Sequence, residues 1–307
     1  AGAAEFDTER DSFNDLLKNA KFSLHAAKLN GKNRCEIFDS VNYMEYIKKL
    51  GIQDELRRCI SEGFEGFELY FQPIYNPQND KLSGAEALIR WNCSKYGFME
   101  PDKFIPLLEE SALIIPLGRW IIDTAAKACN RWITNIPDFV MHINLSFVQI
   151  VKSNIIKDVL EYIGKYSAAN NHYVFEITET IEMDRIPAVE RVFKEFIKND
   201  FRLAIDDFGT GYSNYGYMRD KTFDIVKVDR SFITDIDKRK NNYLMVSFII
   251  KMAHEMGLHV CIEGVETKEE LACVRELGAD YIQGYYYGKP VCVADFEEQH
   301  LKKLILG

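Results

Sequence analysis

The sequence predicts an α/β fold: a modified TIM (β/α)8 barrel with one antiparallel strand, plus an N-terminal helical extension. Eight short β-rich runs, mostly separated by segments of helical periodicity, follow from Phe67 onward, the pattern of a parallel barrel of roughly 250 residues. A polar or charged residue recurs near the end of most of these runs. A doubly wound open sheet is the alternative fold, but no GxGxxG follows a predicted strand, which disfavours a dinucleotide site.

The spacing of apolar residues gives the expected bounds of the strands and helices. We predict strands at 67–75, 83–91, 140–146, 173–179, 202–208, 224–229, 259–264 and 281–287. We predict helices near 102–112, 117–134, 148–165, 184–199, 240–256, 267–277 and 294–305. The first two strands are joined only by the short turn 76–81. Because parallel neighbours need a crossover of about a dozen residues, we expect these two strands to be antiparallel.

The residues before the barrel follow a different pattern, and we predict two domains, 1–64 and 65–307. An apolar stripe with helical spacing opens the first: Leu16, Leu17, Ala20, Leu24 and Ala27. The turn 31–33 ends that helix, a short strand is expected within 34–38, and a second helix is expected at about 40–62.

Composition and charge exclude several classes of protein. The 307 residues carry a net charge of −9, whereas proteins that bind nucleic-acid polymers normally present a basic face. The seven cysteines include no CxxC pair, which favours reduced thiols and a cytoplasmic location. No apolar run approaches about 18 residues. We therefore expect no membrane contact by this chain, while a membrane anchor in a longer parent protein stays open.

The functional prediction rests on a position that recurs from strand to strand. Charged or amide side chains lie near the C-terminal ends of the predicted strands: Glu86, Asn144, Glu176, Asp206, Asp207, Lys227, Glu263 and Gln283. In a barrel these ends meet at one mouth, where active sites form. So many carboxylates repel one another unless cations neutralise them. Oxygen ligands without Cys or His favour Mg²⁺ or Mn²⁺, and the adjacent pair 206–207 suits a two-metal site for phosphoryl displacement.

Each of these elements alone has an ordinary explanation. A lone Glu in a strand is usually exposed, and an Asp-Asp pair is most often a loop or a helix cap. The same placement on seven strands makes independent accidents improbable. The segment 208–213 after the Asp pair has two glycines flanking Thr210 and can approach a ligand closely. His254 and His259 lack the four-residue interval of HExxH, so we expect no zinc site there.

The chain from about 66 to 305 resembles the EAL-domain cyclic di-GMP phosphodiesterases, through a series of motifs in the family's order. These are Phe71-Gln72-Pro73-Ile74, Glu86-Ala87-Leu88-Ile89-Arg90-Trp91, Phe104-Ile105-Pro106, Asn144-Leu145-Ser146, Glu176-Ile177-Thr178-Glu179, Asp206 to Ser213, Lys227-Val228-Asp229-Arg230, Glu263-Gly264-Val265-Glu266-Thr267 and Gln283-Gly284-Tyr285. Residues 12–38 resemble the C-terminal end of a GGDEF domain, the cyclase often found upstream of EAL, without the signature of that cyclase. The first domain is therefore expected to be a GGDEF remnant with a linker helix.

The resemblance implies a role for each candidate residue. It assigns the first metal to Glu86, Asn144, Glu176 and Asp206, and the second to Asp206, Asp207 and Glu263. It implies that Lys227 orients a water attacking between the metals and that Glu263 is the general base, with Asp207 also in the catalytic set. It implies nucleotide or phosphate contacts for Gln72, Leu88, Arg90, Asp229 and Gln283. Glu179 would anchor the loop 208–213 and couple metal binding to the dimer interface of the family.

The activity implied by the resemblance is hydrolysis of cyclic di-GMP to linear pGpG by a homodimer, with Mg²⁺ or Mn²⁺ as cofactor. Ca²⁺ is expected to inhibit, because its longer, looser coordination fits a two-metal geometry poorly. The chain departs from the family pattern at Asn214-Tyr215, Lys221-Thr222 and 286–288, and no departure removes a catalytic group. A catalytically inactive cyclic di-GMP receptor is the alternative, disfavoured because no metal ligand is missing. An enolase-type lyase is a third hypothesis, and the whole motif series argues against it.

Overall fold

The computed structural model describes residues 1–5, 12–179, 187–210 and 222–302. The chain divides into two compact units, residues 1–58 and 59–307. The predicted domain boundary lies shortly after this division. That the first unit is a GGDEF remnant stays a prediction.

The first unit contains the predicted helices and short strand. Helix α1 (Phe13–Leu29) begins at a capping box, in which Ser12 and Asp15 each accept a hydrogen bond from the backbone of the other. Strand β1 (Gly2–Ala3) pairs in parallel with β2 (Glu36–Ile37). Helix α2 (Ser40–Ser61) starts in this unit and continues past its end. Residues 6–11, which precede α1, lie outside the described residues.

The second unit is a closed barrel, and all eight predicted strands are present in it. They are β3 (Phe67–Asn76), β4 (Lys81–Cys93), β6 (Val140–Asn144), β7 (Tyr173–Thr178), β8 (Arg202–Phe208), β9 (Ile225–Val228), β10 (His259–Glu263) and β11 (Tyr281–Gln283). Two further short strands were not predicted, β5 (Gly97–Met99) on β4 and β12 (Val291–Cys292) on β3. The modified (β/α)8 barrel predicted from the sequence is confirmed.

The strand order confirms the expected exception to parallel pairing. Six parallel pairings connect β4, β6, β7, β8, β9, β10 and β11 in that order. Strand β3 closes the barrel by antiparallel pairing with both β4 and β11. The short turn between β3 and β4 leaves no room for a crossover helix, so β4 must return in the opposite direction.

The helices of the second unit lie near their predicted positions. They are α3 (Pro101–Glu110), α4 (Ile114–Trp132), α5 (Phe147–Lys152), α6 (Ile155–Ile163), α7 (Pro187–Lys198), α8 (Lys240–Glu255), α9 (Lys268–Glu276) and α10 (Val293–Phe296), which continues as a π-helical turn, Glu297–Leu301. The single helix predicted at 148–165 was wrong, since it is broken into α5 and α6. Ser153 is extended and the Asn154 side chain accepts from the Lys157 amide, which starts a new helix. Residues 184–186 and 303–305 of the predicted helices lie outside the described residues.

On several strands the interior of the barrel changes from apolar to charged along the strand. A buried apolar cluster comprises Ile74, Val174, Ala204, Ile225 and Cys261. On the parallel strands, each of these residues lies two positions before a candidate site residue, as Val174 lies before Glu176 and Ile225 before Lys227. Since side chains two apart on a strand share a face, the charged layer lies directly on an apolar layer. None of the helices in the described part of the chain is long and apolar enough to cross a membrane.

Candidate active site

Lys227 is the centre of the charged layer at the C-terminal mouth of the barrel. It is 1% exposed and lies on β9 between the buried residues Val226 and Val228. Its Nζ atom lies 2.6 Å from an oxygen of Glu263, 2.8 Å from Glu176, 3.2 Å from Asp206 and 3.3 Å from Glu86. The structure therefore brings together four of the five predicted carboxylates around the predicted lysine, although these four residues and the lysine come from five separate strands.

Amide side chains hold Glu86 from the other directions. Asn144 Nδ2 donates to Glu86 Oε1 at 2.6 Å, and Gln283 Nε2 donates to Glu86 Oε2 at 2.6 Å. Gln283 Nε2 also lies 3.0 Å from Oε1 of Gln72, which places these two predicted substrate contacts beside each other. With Lys227, three donors surround this carboxylate. Burial alone would raise the pKa of Glu86. Lys227 and the hydrogen bonds from Gln283 and Asn144 outweigh that effect and lower the pKa to about 2.

Glu176 is buried with a different set of partners. Its Oε2 accepts from Lys227, and its Oε1 lies 2.7 Å from Nδ1 of His142. Burial and the neighbouring Glu86 carboxylate raise the pKa of Glu176 well above its ordinary value. Burial, together with the Lys227 charge, lowers the pKa of His142 to about 3. The imidazole is therefore neutral at physiological pH.

Burial also raises the pKa values of two further carboxylates, Glu263 and Asp207. Burial raises the pKa of Glu263 to about 8 against the opposing effect of Lys227. Burial and the adjacent Asp206 raise the pKa of Asp207. Burial disfavours the charged form of Lys227, but its four carboxylate neighbours raise its pKa well above the ordinary value. One ammonium among five carboxylates leaves an excess of negative charge, which bound cations would relieve.

The donor set fits a divalent cation. Asp206, Asp207 and Glu263 each offer an oxygen within 4.8 Å of the others. These three are the residues expected to hold the second metal. Oδ1 of Asp206 is buried at an ion-pair distance from Lys227 without hydrogen-bond geometry, and it has no hydrogen-bond donor among the described residues. An oxygen-only cluster with such an orphaned acceptor is typical of a site for a hard cation.

The turn after the Asp pair has a strained backbone and is held by Glu179. Asp207 has a φ of 55° and Gly209 a φ of 97°, the left-handed region that favours glycine. A Cβ at Gly209 would lie 2.7 Å from the ring of Phe232. The Gly209 amide donates to Glu179 Oε2 at 2.8 Å, a contact consistent with the loop anchor predicted for Glu179. Residues 211–213 of the predicted loop, and the departures at 214–215 and Lys221, lie outside the described residues.

A cavity of about 310 Å³ opens above this cluster. Four of the predicted substrate contacts line it: Gln72, Leu88, Asp229 and Gln283. Arg90 is not among its lining residues; its guanidinium lies over the ring of Tyr70 and donates to the backbone oxygen of Ile89. A phosphate contact by Arg90 stays a prediction.

Several residues of this site were not predicted from the sequence to have a role in it. Arg230, Glu266 and Tyr285 line the cavity beside the predicted residues. The motif series contains all three residues, but no role was predicted for them, since no periodicity distinguished these loop positions. His142 was also missed, although a signal for it existed. It lies two residues before Asn144 on a strand, and residues with that spacing share one face.

The histidine pair considered for zinc has another role. His254 Nε2 lies 2.8 Å from Oδ2 of Asp280, and His259 Nδ1 lies 3.5 Å from its Oδ1. Within the described residues, neither histidine belongs to a cluster able to hold a metal ion. Both imidazoles contact the Asp280 carboxylate.

The chain is similar to known proteins both in sequence and in structure. The family model described as EAL domain matches residues 53–290. The signaling protein YkoW of Bacillus subtilis is 32% identical over 285 residues, which cover 92% of this chain and 35% of the relative. The cyclic di-GMP phosphodiesterase NbdA of Pseudomonas aeruginosa is 30% identical over 298 residues, which cover 97% of this chain and 38% of the relative.

A solved structure agrees with this comparison. The PaMucR phosphodiesterase in complex with c-di-GMP superposes with a TM-score of 0.75 at 28% identity, covering 80% of this chain and 99% of that chain. The chain spans less than half the length of the curated relatives YkoW and NbdA.

Proposed function

The chain belongs to the EAL domain family, and from this premise we propose that it hydrolyses cyclic di-GMP to linear pGpG with two divalent cations at the barrel mouth. The observation that carries the proposal is the convergence of Glu86, Glu176, Asp206 and Glu263 on Lys227 beneath an open cavity. Relatives named as cyclic di-GMP phosphodiesterases support a hydrolase.

Two overlapping ligand sets are proposed for the cations. Asp206, Asp207 and Glu263 form one set, and their oxygens are already close enough to share an ion. The other set is Glu86, Asn144, Glu176 and Asp206. The cations, when bound, supply positive charge to the phosphoryl oxygens and acidify the attacking water.

The chain's own residues then orient the reactants and move protons. Glu263, which lies at the edge of the cavity, acts as the general base that accepts a proton from the attacking water. Lys227 contacts both the Glu263 and the Glu176 carboxylate, balances part of their charge and orients the attacking water. The water oxygen bonds to phosphorus, the bond from phosphorus to the 3′ oxygen breaks, and that oxygen leaves as a hydroxyl after taking a proton. Gln72, Leu88 and Asp229 are positioned to contact the nucleotide.

A nucleotide-turnover assay tests this proposal. Purified protein with Mg²⁺ or Mn²⁺ is incubated with cyclic di-GMP, and the products are separated by chromatography. We expect pGpG to accumulate, and to be absent when a chelator is added. Tight binding of cyclic di-GMP by calorimetry without any turnover would instead identify an inactive receptor. A protein that neither binds nor hydrolyses cyclic di-GMP would refute both hypotheses.

The quaternary state and location are further proposals. We propose a homodimer through the EAL domain, which sedimentation analysis of the purified chain would test by its mass. A cytoplasmic location is proposed from the seven cysteines, all free within the structure.

A further inference from the structure

His142 occupies the barrel interior directly beneath the predicted ligand Asn144. Both residues lie on β6, two positions apart, so their side chains share the inward face. The register pairs His142 with Glu86 on one neighbouring strand and Asn144 with Glu176 on the other. His142 is only 3% exposed. Because the imidazole is buried here, few polar groups lie within its reach, and its hydrogen-bond partner indicates its role.

The partner of His142 is the Glu176 carboxylate. Nδ1 lies 2.7 Å from Oε1, while Oε2 of the same carboxylate lies 2.8 Å from Lys227 Nζ. The Glu176 side chain has no solvent exposure. A cation would bind the ionised form of this carboxylate, which only accepts hydrogen bonds, so Nδ1 would be the donor of this contact in the metal-bound state. Rotation of the carboxylate would break at least one of these two hydrogen bonds in the barrel interior.

We propose that His142 is a positioning residue that fixes the orientation of the Glu176 carboxylate for the cation expected at this mouth. The inference rests on the proposed function, because Glu176 is a metal ligand only in that proposal. Partners that orient a metal-binding side chain commonly contribute about 10- to 100-fold to metal affinity. His142 acts through Glu176 and is not itself assigned a contact with the cation or the substrate.

A purely structural role is the competing explanation. His142 also lines a second cavity, of about 670 Å³, at the opposite mouth of the barrel. If the imidazole only fills space between the two layers, an apolar side chain of similar size would serve equally well. If it orients Glu176, the hydrogen-bond donor itself is required. Variants that separate size from donor capacity therefore distinguish the two explanations.

The test compares H142N with H142L. An asparagine amide nitrogen takes nearly the position of the imidazole Nδ1, so H142N keeps the donor, whereas H142L removes it. H172L is the matched control: His172 lines the same second cavity, but its Nδ1 lies 2.7 Å from the backbone oxygen of Phe139. The readout is the affinity for Mn²⁺ alone, measured by calorimetry without substrate, alongside the melting temperature of each metal-free protein.

We expect H142L to bind Mn²⁺ about 10- to 100-fold more weakly, with H142N and H172L close to the wild type. Unchanged Mn²⁺ affinity in H142L, or equal losses in H142L and H142N, would overturn the positioning role. If H142L does not fold, H142Q replaces it, since its longer side chain carries the amide away from the Nδ1 position and the same loss is expected. Absence of Mn²⁺ binding by the wild type would refute the proposed metal site itself, a separate and recognisable result.

Discussion

Nζ of Lys227 lies 2.6 Å from Oε1 of Glu263, a carboxylate on the neighbouring strand. The same ammonium contacts three more carboxylates, from strands β4, β7 and β8. A single buried cation thus balances part of the charge that the proposed metal ions would share. The stability of the metal-free protein and its response to metal should therefore both depend on this side chain.

Replacement of Lys227 by Met keeps the length of the side chain and removes its charge. We expect the metal-free variant to lose about 3 kcal/mol or more in the free energy of unfolding, because buried carboxylates are left without their partner. Mg²⁺ should restore more stability in K227M than it adds to the wild type. Urea unfolding with and without Mg²⁺ measures both effects. K238M, at an exposed lysine paired with Asp235, is the control and should change stability by less than about 1 kcal/mol. Equal unfolding of K227M and wild type would contradict the charge-balance argument.

Glu86→Ala should abolish turnover of cyclic di-GMP. The variant removes a proposed metal ligand that also accepts from Asn144 and Gln283. The loss should be at least about 100-fold, since a correctly held cation contributes several kcal/mol to phosphoryl transfer. Initial rates of pGpG formation at saturating Mg²⁺ measure it, with E161A on the exposed face of α6 as control. Normal turnover by E86A would remove Glu86 from the metal site.

Addition of Ca²⁺ should inhibit the reaction supported by Mg²⁺. Ca²⁺ accepts longer bonds and more ligands than Mg²⁺, so it fits a compact two-metal geometry poorly. The measurement is the rate of pGpG formation at fixed Mg²⁺ while Ca²⁺ is increased, with NaCl of equal ionic strength as the control. Full rates with Ca²⁺ as the only divalent cation would be evidence against the two-metal geometry.

The Asp280 group predicts a pH dependence of stability away from the active site. Burial alone would raise the pKa of Asp280. Hydrogen bonds from His259, His254 and the Val260 amide outweigh burial and lower the pKa from 3.8 to about 2. The stabilisation is therefore present above pH 3.8 and lost as the pH falls toward 2. The hydrogen bond to Asp280 raises the pKa of His259 above 6.5. Its contribution is present below pH 6.5 and lost as the pH rises through the raised value.

Asp280→Asn should accordingly cost about 1–2 kcal/mol near pH 5. The difference from the wild type should shrink toward pH 2 and, to a smaller extent, above pH 7. Urea unfolding of both proteins across this range measures the difference at each pH. A difference that stays constant from pH 2 to pH 8 would show that the three side chains are not coupled to folding in this way.

Glu179→Ala should weaken catalysis without a large loss of stability. It removes the acceptor for the Gly209 amide and frees the turn that follows Asp207. We expect turnover to fall about 10-fold, roughly the effect of misplacing a ligand through a lost outer partner. The rate and the melting temperature are measured together. E190A, at an exposed glutamate of α7, is the control; an E179A rate equal to that of E190A would exclude the anchor.

The barrel was predictable because its strands alternate with helices in a regular way. The eight strands appear at their expected places, and the antiparallel entry of β3 followed from the length of the turn at 76–81. The break between α5 and α6 was missed because Ser153 and Asn154 interrupt an apolar pattern that otherwise continues as a helix. Local capping overrode periodicity there.

The sequence by itself placed the carboxylates at the C-terminal ends of the strands, because the spacing of apolar residues indicates where each strand begins and ends. Only the tertiary structure decided which of these side chains contact one another. The four partners of Lys227, the contact of His142 with Glu176 and the group around Asp280 join residues far apart in the chain. Such distances depend on the register and closure of the barrel, which no local pattern of residues contains.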